Sequence, residues 1–297
     1  MKIAIYAQQY SENYRKVLTD LLINFQPTDK VYIEKNFFEE LKKKLPDYQS
    51  KEVFSGFNDL DASFDVMLTI GGDGTILRAI TFVRNLNIPI LGINVGRLGF
   101  LAMAQKDEIK NVLHALRTKS YKTSERSVIE AVISDNEIPI SDINFALNEI
   151  TVTRKNTASM ITIDTELNGE FLTSYWADGL IISTPTGSTG YSLSCGGPVI
   201  IPDAKNLVIT PIAPHNLNAR PLIIPDNTEI KLSVSGREKK YFVSLDSRIE
   251  TLPNKVSITI RKADFSIKMI RLEKESFINT LRNKLLWGED NRNKFKK

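Results

Sequence analysis

The sequence has few of the residues that build disulfides and metal cages. Its 297 residues include one cysteine, Cys195, and two histidines, His114 and His215. One cysteine excludes an intrachain disulfide, and so few Cys and His residues exclude a zinc cage of the usual Cys/His type. Cys195 could act as a nucleophile, but a small buried thiol is the expected interpretation.

Long apolar runs and an excess of one charge are also missing. The N-terminal segment turns polar after seven residues, which is too short for a signal peptide. No stretch approaches the ~18 to 20 apolar residues that span a bilayer. The net charge is +4, and the parts before and after residue 125 carry +2 each (17 Lys+Arg against 15 Asp+Glu, then 22 against 20). These features predict a cytoplasmic protein that binds neither nucleic acid nor a membrane.

Hydrophobic periodicity divides the chain at about residue 125. Residues 1–125 alternate strand-like and helix-like patterns, which predicts an α/β domain with a Rossmann-like parallel sheet. Residues 126–270 carry short strand patterns separated by turn residues, which predicts an all-β domain. Residues 271–297 are expected to form a helix up to Trp287 and a charged, solvated tail.

The predicted strands fall into two groups. Those of the first domain are 2–7, 31–34, 65–70 and 88–93. Those of the second are 127–133, 149–153, 160–167, 179–184, 207–213, 228–235, 240–245, 255–261 and 265–270.

A glycine-rich loop, Gly71-Gly72-Asp73-Gly74-Thr75, follows the buried strand 65–70 and begins a helix. Glycine lets a ligand approach the backbone, and N–H groups at a helix N-terminus attract anions. Gly71, Gly72, Gly74 and Thr75 are therefore candidate phosphate-binding residues. An acid among such amides is unfavourable unless it binds a metal or takes a proton. The alternative is a plain turn in which Asp73 caps the helix.

Two further segments favour a polar ligand. Asn148-Glu149 opens a strand and could clamp a ribose diol or an adenine edge, or simply face solvent. The segment 178–198, DGLIISTPTGSTGYSLSCGGP, runs from an acid through a buried strand into hydroxyls and glycines. Its hydroxyls and amides suit a ligand that threads the backbone, and Tyr191 could stack on a base. The alternative is a β-domain loop rich in turn formers.

The standard nucleotide fingerprints are missing. The sequence contains neither G-x-x-x-x-G-K-[ST] nor G-x-G-x-x-G after a strand. The loop at 92–100, GINVGRLGF, is rich in glycine but has a different spacing. It is either a tight connection or a loop that faces a ligand.

Taken together, these segments resemble the NAD kinase family (ATP-NAD kinases). The resemblance rests on GGDGT at 71–75, GINVGRLGFLA at 92–102, LNE at 147–149, the segment 178–198, and PHNLNARPL at 214–222, in the family's order. It implies an α/β domain, a C-terminal β-sandwich, and return of the C-terminal helix to the first domain. It also implies transfer of the γ-phosphoryl of ATP to the 2′-hydroxyl of the adenosine ribose of NAD, with a divalent cation such as Mg²⁺. A homo-oligomer, dimer or tetramer, is expected.

The resemblance also implies residue roles. Asp73 matches the proton acceptor. The matching NAD contacts are Asp73, Gly74, Arg78, Phe100, Asn148, Glu149, Asp178, Thr189, Gly190, Tyr191, Ser192 and Ser194. Metal ligands stay unassigned, with the acids at 73, 149, 178 and 246 as candidates only.

This sequence departs from the family pattern at Gly190, within the segment 178–198, and at Trp176, just before it. Gly190 stands where alanine is common, and Trp176 where a polar or basic residue is common. The choice between ATP and polyphosphate, and between NAD and NADH, stays open. The rival interpretations are a lipid or sugar kinase that shares the GGDGT loop, and a non-enzymatic regulator that binds a dinucleotide.

Overall fold

The computed structural model describes residues 1–10, 12–44, 52–102, 104–155, 159–272 and 276–286. The chain divides into two compact units: unit 1 contains Met1–Glu125 and Ile267–Lys297, and unit 2 contains Arg126–Ser266. The predicted charged tail and Trp287 lie outside the described residues. Within the described ranges, no helix is long and apolar enough to cross a membrane.

Helices and strands are labelled here in chain order. They are β1 (Lys2–Tyr6), α1 (Glu12–Asn24), β2 (Lys30–Glu34), α2 (Lys35–Lys44), β3 (Glu52–Phe54), β4 (Val66–Gly71), α3 (Asp73–Val83), β5 (Ile90–Asn94), β6 (Ala104–Gln105), α4 (Ile109–Thr118), β7 (Lys122–Ile133), β8 (Phe145–Ala146), β9 (Glu149–Arg154), β10 (Ile161–Leu167), β11 (Glu170–Ala177), β12 (Gly179–Ser183), α5 (Tyr191–Ser194), β13 (Asn206–Ile212), β14 (Leu222–Pro225), β15 (Ile230–Ser235), β16 (Lys240–Leu245), β17 (Arg248–Pro253), β18 (Ile258–Arg271) and α6 (Phe277–Leu285). Two 3₁₀ turns lie at Phe57–Asp59 and Thr186–Thr189.

Unit 1 is built on a parallel sheet with strand order β3-β2-β1-β4-β5. β6 extends it beyond β5, and Met269 of β18 pairs in parallel with Ile90. β4 and β5 are buried at every residue because helices cover a parallel sheet on both faces. The apolar faces of α1, α2 and α4 supply the rest of this core.

The order of these strands reverses between β1 and β4. In open α/β sheets, ligands bind beyond the carboxyl ends of the strands at such a switch point. β4 ends at Gly71, so the GGDGT loop lies at this position.

Unit 2 is a sandwich of two antiparallel sheets. One has the order β11-β10-β15-β18, with β7 paired to β18 and to β8. The other has the order β14-β13-β12-β9-β16-β17. Inward-facing Ile, Leu and Val side chains of both sheets, together with the buried Tyr241, form one core.

The sequence patterns predicted the long, buried strands but not most of the strands that are short or exposed on one side. The strands without a sequence prediction are β3, β6, β8, β11, β14 and β17. Three of them have only two or three residues, and β11 and β17 expose most of one side, so they lack a clear apolar alternation. The segments 255–261 and 265–270, predicted as two strands, are instead represented by the single strand β18.

Candidate active site

The loop after β4 opens α3 with three glycines and one acid. Gly71 has a φ of 154°, and a Cβ there would lie 2.1 Å from the Thr75 Oγ1, so the position requires glycine. Gly72 and Gly74 are exposed, whereas Thr75 is buried and its N–H donates to the Gly72 carbonyl at 3.0 Å. The exposed start of an 11-residue helix thus offers amides and a positive dipole end to an anion.

The Asp73 carboxylate is held by three consecutive backbone N–H groups. The Phe100 N–H donates to Oδ2 at 2.8 Å, and the N–H groups of Leu101 and Ala102 donate to Oδ1 at 3.0 and 3.1 Å. An ionised carboxylate has about four acceptor positions, so about one is left for a ligand hydroxyl. The Asp73 side chain is 28% exposed, which makes that position accessible.

The glycine loop at 92–100 is therefore a support for Asp73. A Cβ at Gly99 would lie 1.9 Å from the Asp73 Oδ1, so only glycine permits this approach. Asn94 is buried and its Nδ2 donates to the carbonyls of Arg97 and Ala102 at 2.8 and 3.2 Å. These bonds fix the loop that presents the three donors.

Two other predicted NAD contacts of unit 1 lie in different surroundings. Phe100 is 8% exposed, so its ring is part of the packing while its N–H binds Asp73. Arg78 is exposed on α3. Burial raises the pKa of the Tyr6 hydroxyl, and the positive charge of Arg78 partly offsets that rise.

In unit 2, a second aspartate holds the Asn148-Glu149 pair. Asp246 accepts from the N–H of Leu147 at 3.1 Å, of Asn148 at 2.8 Å and of Glu149 at 3.3 Å. Asp246 has a left-handed φ of 54°, and its own N–H donates to the Glu149 carbonyl at 2.9 Å. The pair is thus fixed by reciprocal backbone bonds at the start of β9.

The two carboxyl groups have different protonation tendencies. Burial, and then the negative charge of Asp246, raise the pKa of Glu149 to about 8. Burial also raises the pKa of Asp246, but its three amide donors and Arg248, 3.8 Å away, oppose that rise. At neutral pH the proton of this pair therefore resides on Glu149, which becomes a hydrogen-bond donor.

The turn from 184 to 194 lies against Asn148 and Glu149. The Thr184 Oγ1 donates to the Leu147 carbonyl, and the Tyr191 N–H donates to the Glu149 carboxyl group. A Cβ at Gly190 would lie 3.0 Å from the Glu149 Oε2. The structure therefore brings together residues that the sequence predicted separately.

The predicted NAD-binding residues of this turn differ in their exposure to solvent. Tyr191 and Ser194 are exposed, and Thr189 and Gly190 are partly buried. Ser192 is fully buried, and its Oγ lies 2.8 Å from the Thr210 Oγ1, so it stabilises the turn from within.

Three buried polar atoms beside this turn have no hydrogen-bond partner among the described residues. They are Asn148 Oδ1, Glu149 Oε2 and Thr186 Oγ1. Buried polar atoms are normally paired, so these three mark a place where a polar ligand would restore the missing bonds. Sequence reasoning missed Thr186, because one threonine in a run of hydroxyl residues carries no separate signal.

Asp178 lies within electrostatic reach of this turn, since burial and then the charges of Cys195 and Asp178 raise the pKa of Tyr191. The Asp178 Oδ2 forms an ion pair with the Arg154 guanidinium at 2.9 Å, and both side chains are partly exposed. Nearby, the exposed Trp176 packs on His215 with ring centroids 4.4 Å apart. A cleft of about 650 Å³ is lined by Arg154, Trp176 and Arg237, among others.

The candidate metal ligands do not form a cage. Among the residues that the structure describes, no three His, Cys, Asp or Glu side chains are grouped to hold a metal ion. Backbone donors take about three of the four acceptor positions of Asp73 and also hold Asp246, and Asp178 is paired with Arg154. Cys195 is partly buried, and burial raises the pKa of its thiol, which disfavours the reactive thiolate.

Comparison with known proteins identifies the family. The model of the ATP-NAD kinase N-terminal domain matches residues 4–121, and that of the ATP-NAD kinase C-terminal domain matches residues 147–272. The chain belongs to the NAD kinase family. An NAD kinase of Flavobacterium psychrophilum is 55% identical to this family member over 294 residues, 99% of this chain and 100% of that protein. An NAD kinase of Cytophaga hutchinsonii is 44% identical, also over 99% of this chain and 100% of its own length.

Solved structures confirm the predicted NAD kinase fold. A yeast NADH kinase complexed with NADH has a TM-score of 0.86 at 25% identity and covers 98% of this chain and 89% of that chain. An NAD kinase from Archaeoglobus fulgidus in complex with ATP has a TM-score of 0.73 at 25% identity, covering 96% and 99%.

The raised pKa of Glu149 predicts that the stability of this family member depends on pH. The pKa of a glutamate carboxyl group is ordinarily about 4.5, against about 8 for Glu149 in the folded protein. Between these two pH values the folded protein keeps a proton that the unfolded chain has lost. Stability from this group is therefore full below pH 4.5 and is lost as the pH rises through 8. Glu149→Gln removes the titrating group and with it this loss. The unfolding free energy of the variant minus that of wild type should therefore rise by about 2–4 kcal/mol from pH 5 to pH 8.

Urea unfolding followed by circular dichroism at several pH values measures this effect. Glu170→Gln is the matched control, because Glu170 is exposed in the hairpin of β10 and β11 and should give no such trend. A constant difference between Glu149→Gln and wild type across this range would contradict a buried, protonated Glu149.

Proposed function

We propose that the protein is an ATP-dependent NAD kinase, which transfers the γ-phosphoryl of ATP to the 2′-hydroxyl of the adenosine ribose of NAD and releases NADP. The observation that carries this proposal is the Asp73 carboxylate, held at the exposed start of α3 with about one acceptor position left. Relatives named NAD kinase over the whole length support it. They do not favour a lipid kinase, a sugar kinase or a non-enzymatic regulator.

Asp73 is the proposed general base. Phosphoryl transfer proceeds through a loose transition state, so in-line positioning and charge neutralisation matter most. The remaining acceptor position of Asp73 would receive the proton of the ribose hydroxyl as it attacks. The exposed amides at Gly72 and Gly74 are proposed to hold phosphate oxygens. Gly71 and Thr75 shape the loop, because one needs its positive φ and the other has its N–H already bonded.

The dinucleotide is proposed to bind at Asn148, Glu149 and the turn at Thr189–Ser194. Asn148 and the protonated Glu149 together offer donors and acceptors that match ribose hydroxyls or an adenine edge. The exposed ring of Tyr191 is proposed to stack on a base. Asp178, Arg78 and Phe100 complete the proposed NAD contacts, and NAD is the proposed acceptor.

We infer that the divalent cation, Mg²⁺, enters as part of the substrate Mg-ATP. The described carboxylates do not form a cation cage, and those of Asp73 and Asp246 are already held by backbone N–H groups. Mg²⁺ commonly keeps several waters and binds substrate phosphates. The ATP complex of the Archaeoglobus relative supports ATP as the donor.

We also infer that the protein forms a homo-oligomer, a dimer or a tetramer. β11 is the edge strand of its sheet, and it exposes Phe171, Leu172 and Trp176. Exposed apolar side chains on a sheet edge favour pairing with another chain. The cytoplasmic location expected from the sequence stays a prediction.

The proposed reaction is tested by incubating the purified protein with Mg-ATP and NAD. NADP should appear in amounts matching the ADP formed, and EDTA should stop its formation until excess Mg²⁺ is added. Parallel reactions with NADH measure acceptor choice as the ratio of the kcat/KM values. Binding of NAD without formation of NADP would instead support a regulator.

The role of Asp73 is tested by two substitutions that act differently. Asp73→Asn removes the base and should lower kcat by about 10²–10⁴-fold, the usual effect of losing a general base. Gly99→Ala keeps the acid but places a methyl group 1.9 Å from its Oδ1, so it should also lower kcat. Initial rates of NADP formation and calorimetric NAD titrations check both.

Gly96→Ala is the matched control for the loop. A Cβ at Gly96 meets nothing within 4 Å, so this variant should keep nearly wild-type kcat. Near-normal turnover of Asp73→Asn would remove Asp73 from the role of base. Equal losses in the two alanine variants would show that the loop, rather than the carboxylate position, limits the rate.

Assembly is tested by light scattering on the purified protein. A dimer or tetramer has two or four times the 33.5 kDa of one chain. Phe171→Asp should shift the mass toward that of the monomer, because it places a charge on the edge strand. A monomeric wild-type protein at micromolar concentration would contradict the inference.

A further inference from the structure

The C-terminal helix α6 brings a cation to the Asp73 carboxylate within unit 1. The Lys284 Nζ lies 3.8 Å from the Asp73 Oδ2 and 4.5 Å from the centroid of the Phe100 ring. Phe277, seven residues earlier on α6, packs against the same ring with centroids 6.2 Å apart. Thr280 and Leu281, which lie on this side of the helix between them, are buried. α6 therefore reaches both the acid and the loop that holds it.

Stability does not account for this placement. The side chains of Lys284 and Asp73 are 35% and 28% exposed, and ion pairs with such exposure contribute little. The 3.8 Å separation is within ion-pair range but beyond the range of a hydrogen bond. The N–H donors of Lys284 are thus not used by this oxygen, and its charge still acts on it.

Without a nearby cation, the negative charge of Asp73 would disfavour the binding of ATP. Its negative charge lies at the start of α3, where the phosphates are proposed to bind, and like charges at close range repel. A lysine facing Oδ2 offsets that repulsion while leaving the acceptor position open. The ring of Phe100 provides the surface over which the ammonium group is held.

We propose that Lys284 is a positioning residue for phosphoryl transfer, which orients the Asp73 carboxylate and offsets its charge beside the phosphates of ATP. This inference rests on the proposed kinase function. It assigns the C-terminal helix a part in the reaction, in addition to its packing on unit 1.

The test compares Lys284→Met with wild type in the NADP assay. Removal of a charge about 4 Å from the base should lower kcat by about 10- to 100-fold and raise the KM for ATP. The KM for NAD should stay within about threefold, because the proposed NAD clamp is unchanged. Lys284→Arg, which keeps the charge, should recover most of the rate.

Two controls separate positioning from a structural role. Arg282→Met removes an exposed cation from the same helix and should leave kcat and the KM for ATP unchanged. In an Asp73→Asn background, Lys284→Met should have little further effect, because its action passes through Asp73. Thermal unfolding midpoints of all variants check that they fold.

The outcomes distinguish this inference from the proposed function. A wild-type protein that makes no NADP overturns both. A wild-type protein that makes NADP, with Lys284→Met equal to it or with the same loss in Arg282→Met, overturns the role of Lys284 alone. Full additivity of Lys284→Met with Asp73→Asn would also overturn it.

Discussion

An aspartate held by three consecutive backbone N–H groups is the interaction on which both candidate sites depend. Asp73 is held by the amides at 100–102, and Asp246 by the amides at 147–149. A carboxylate removed from water is costly unless donors replace its hydration, and a run of amides supplies several donors from one rigid segment. In each case the acid fixes a loop, and the loop fixes the acid. The order of each site therefore comes from the backbone rather than from a network of side chains.

Because backbone hydrogen bonds hold both sites in place, only some parts of the sites could be predicted from the sequence. GGDGT at the end of a buried strand and the segment 178–198 were recognisable, because glycines and hydroxyls leave a pattern of residue types. Backbone N–H donors leave no such pattern. The residue types at 100–102 and 147–149 therefore do not identify these segments as hydrogen-bond donors to an aspartate. The function of Gly99 was equally hidden, since it depends on the absence of a Cβ, which would lie 1.9 Å from the Oδ1 of Asp73, 26 positions earlier in the chain.

The same limit applies to the fold. Strands β1, β4, β5 and β12 were predicted well, because burial on both sides makes them continuously apolar. β11 and β17 were missed because their outward residues carry no apolar alternation, and their position is set by pairing with distant segments. The order β3-β2-β1-β4-β5 is also a property of pairing. It nevertheless gives the GGDGT motif its meaning, since it places the end of β4 at the switch point.

The two clamped acids differ in exposure, and this difference separates their capacities. Asp246 has a side chain only 1% exposed, so its remaining interactions are with Arg248 and with the neighbouring carboxyl group of Glu149. Its charge favours a protonated Glu149, and it thereby sets the hydrogen-bonding character of the Asn148-Glu149 pair without touching a ligand. Asp73 is 28% exposed and lies at a helix N-terminus, so the same clamp leaves it able to meet a substrate hydroxyl. Asp246 also has a cation 3.8 Å away, Arg248, but only at Asp73 does the fixed carboxylate lie where phosphates are proposed to bind, so only there would a cation offset repulsion of the substrate. Lys284 provides that cation from the far end of the chain.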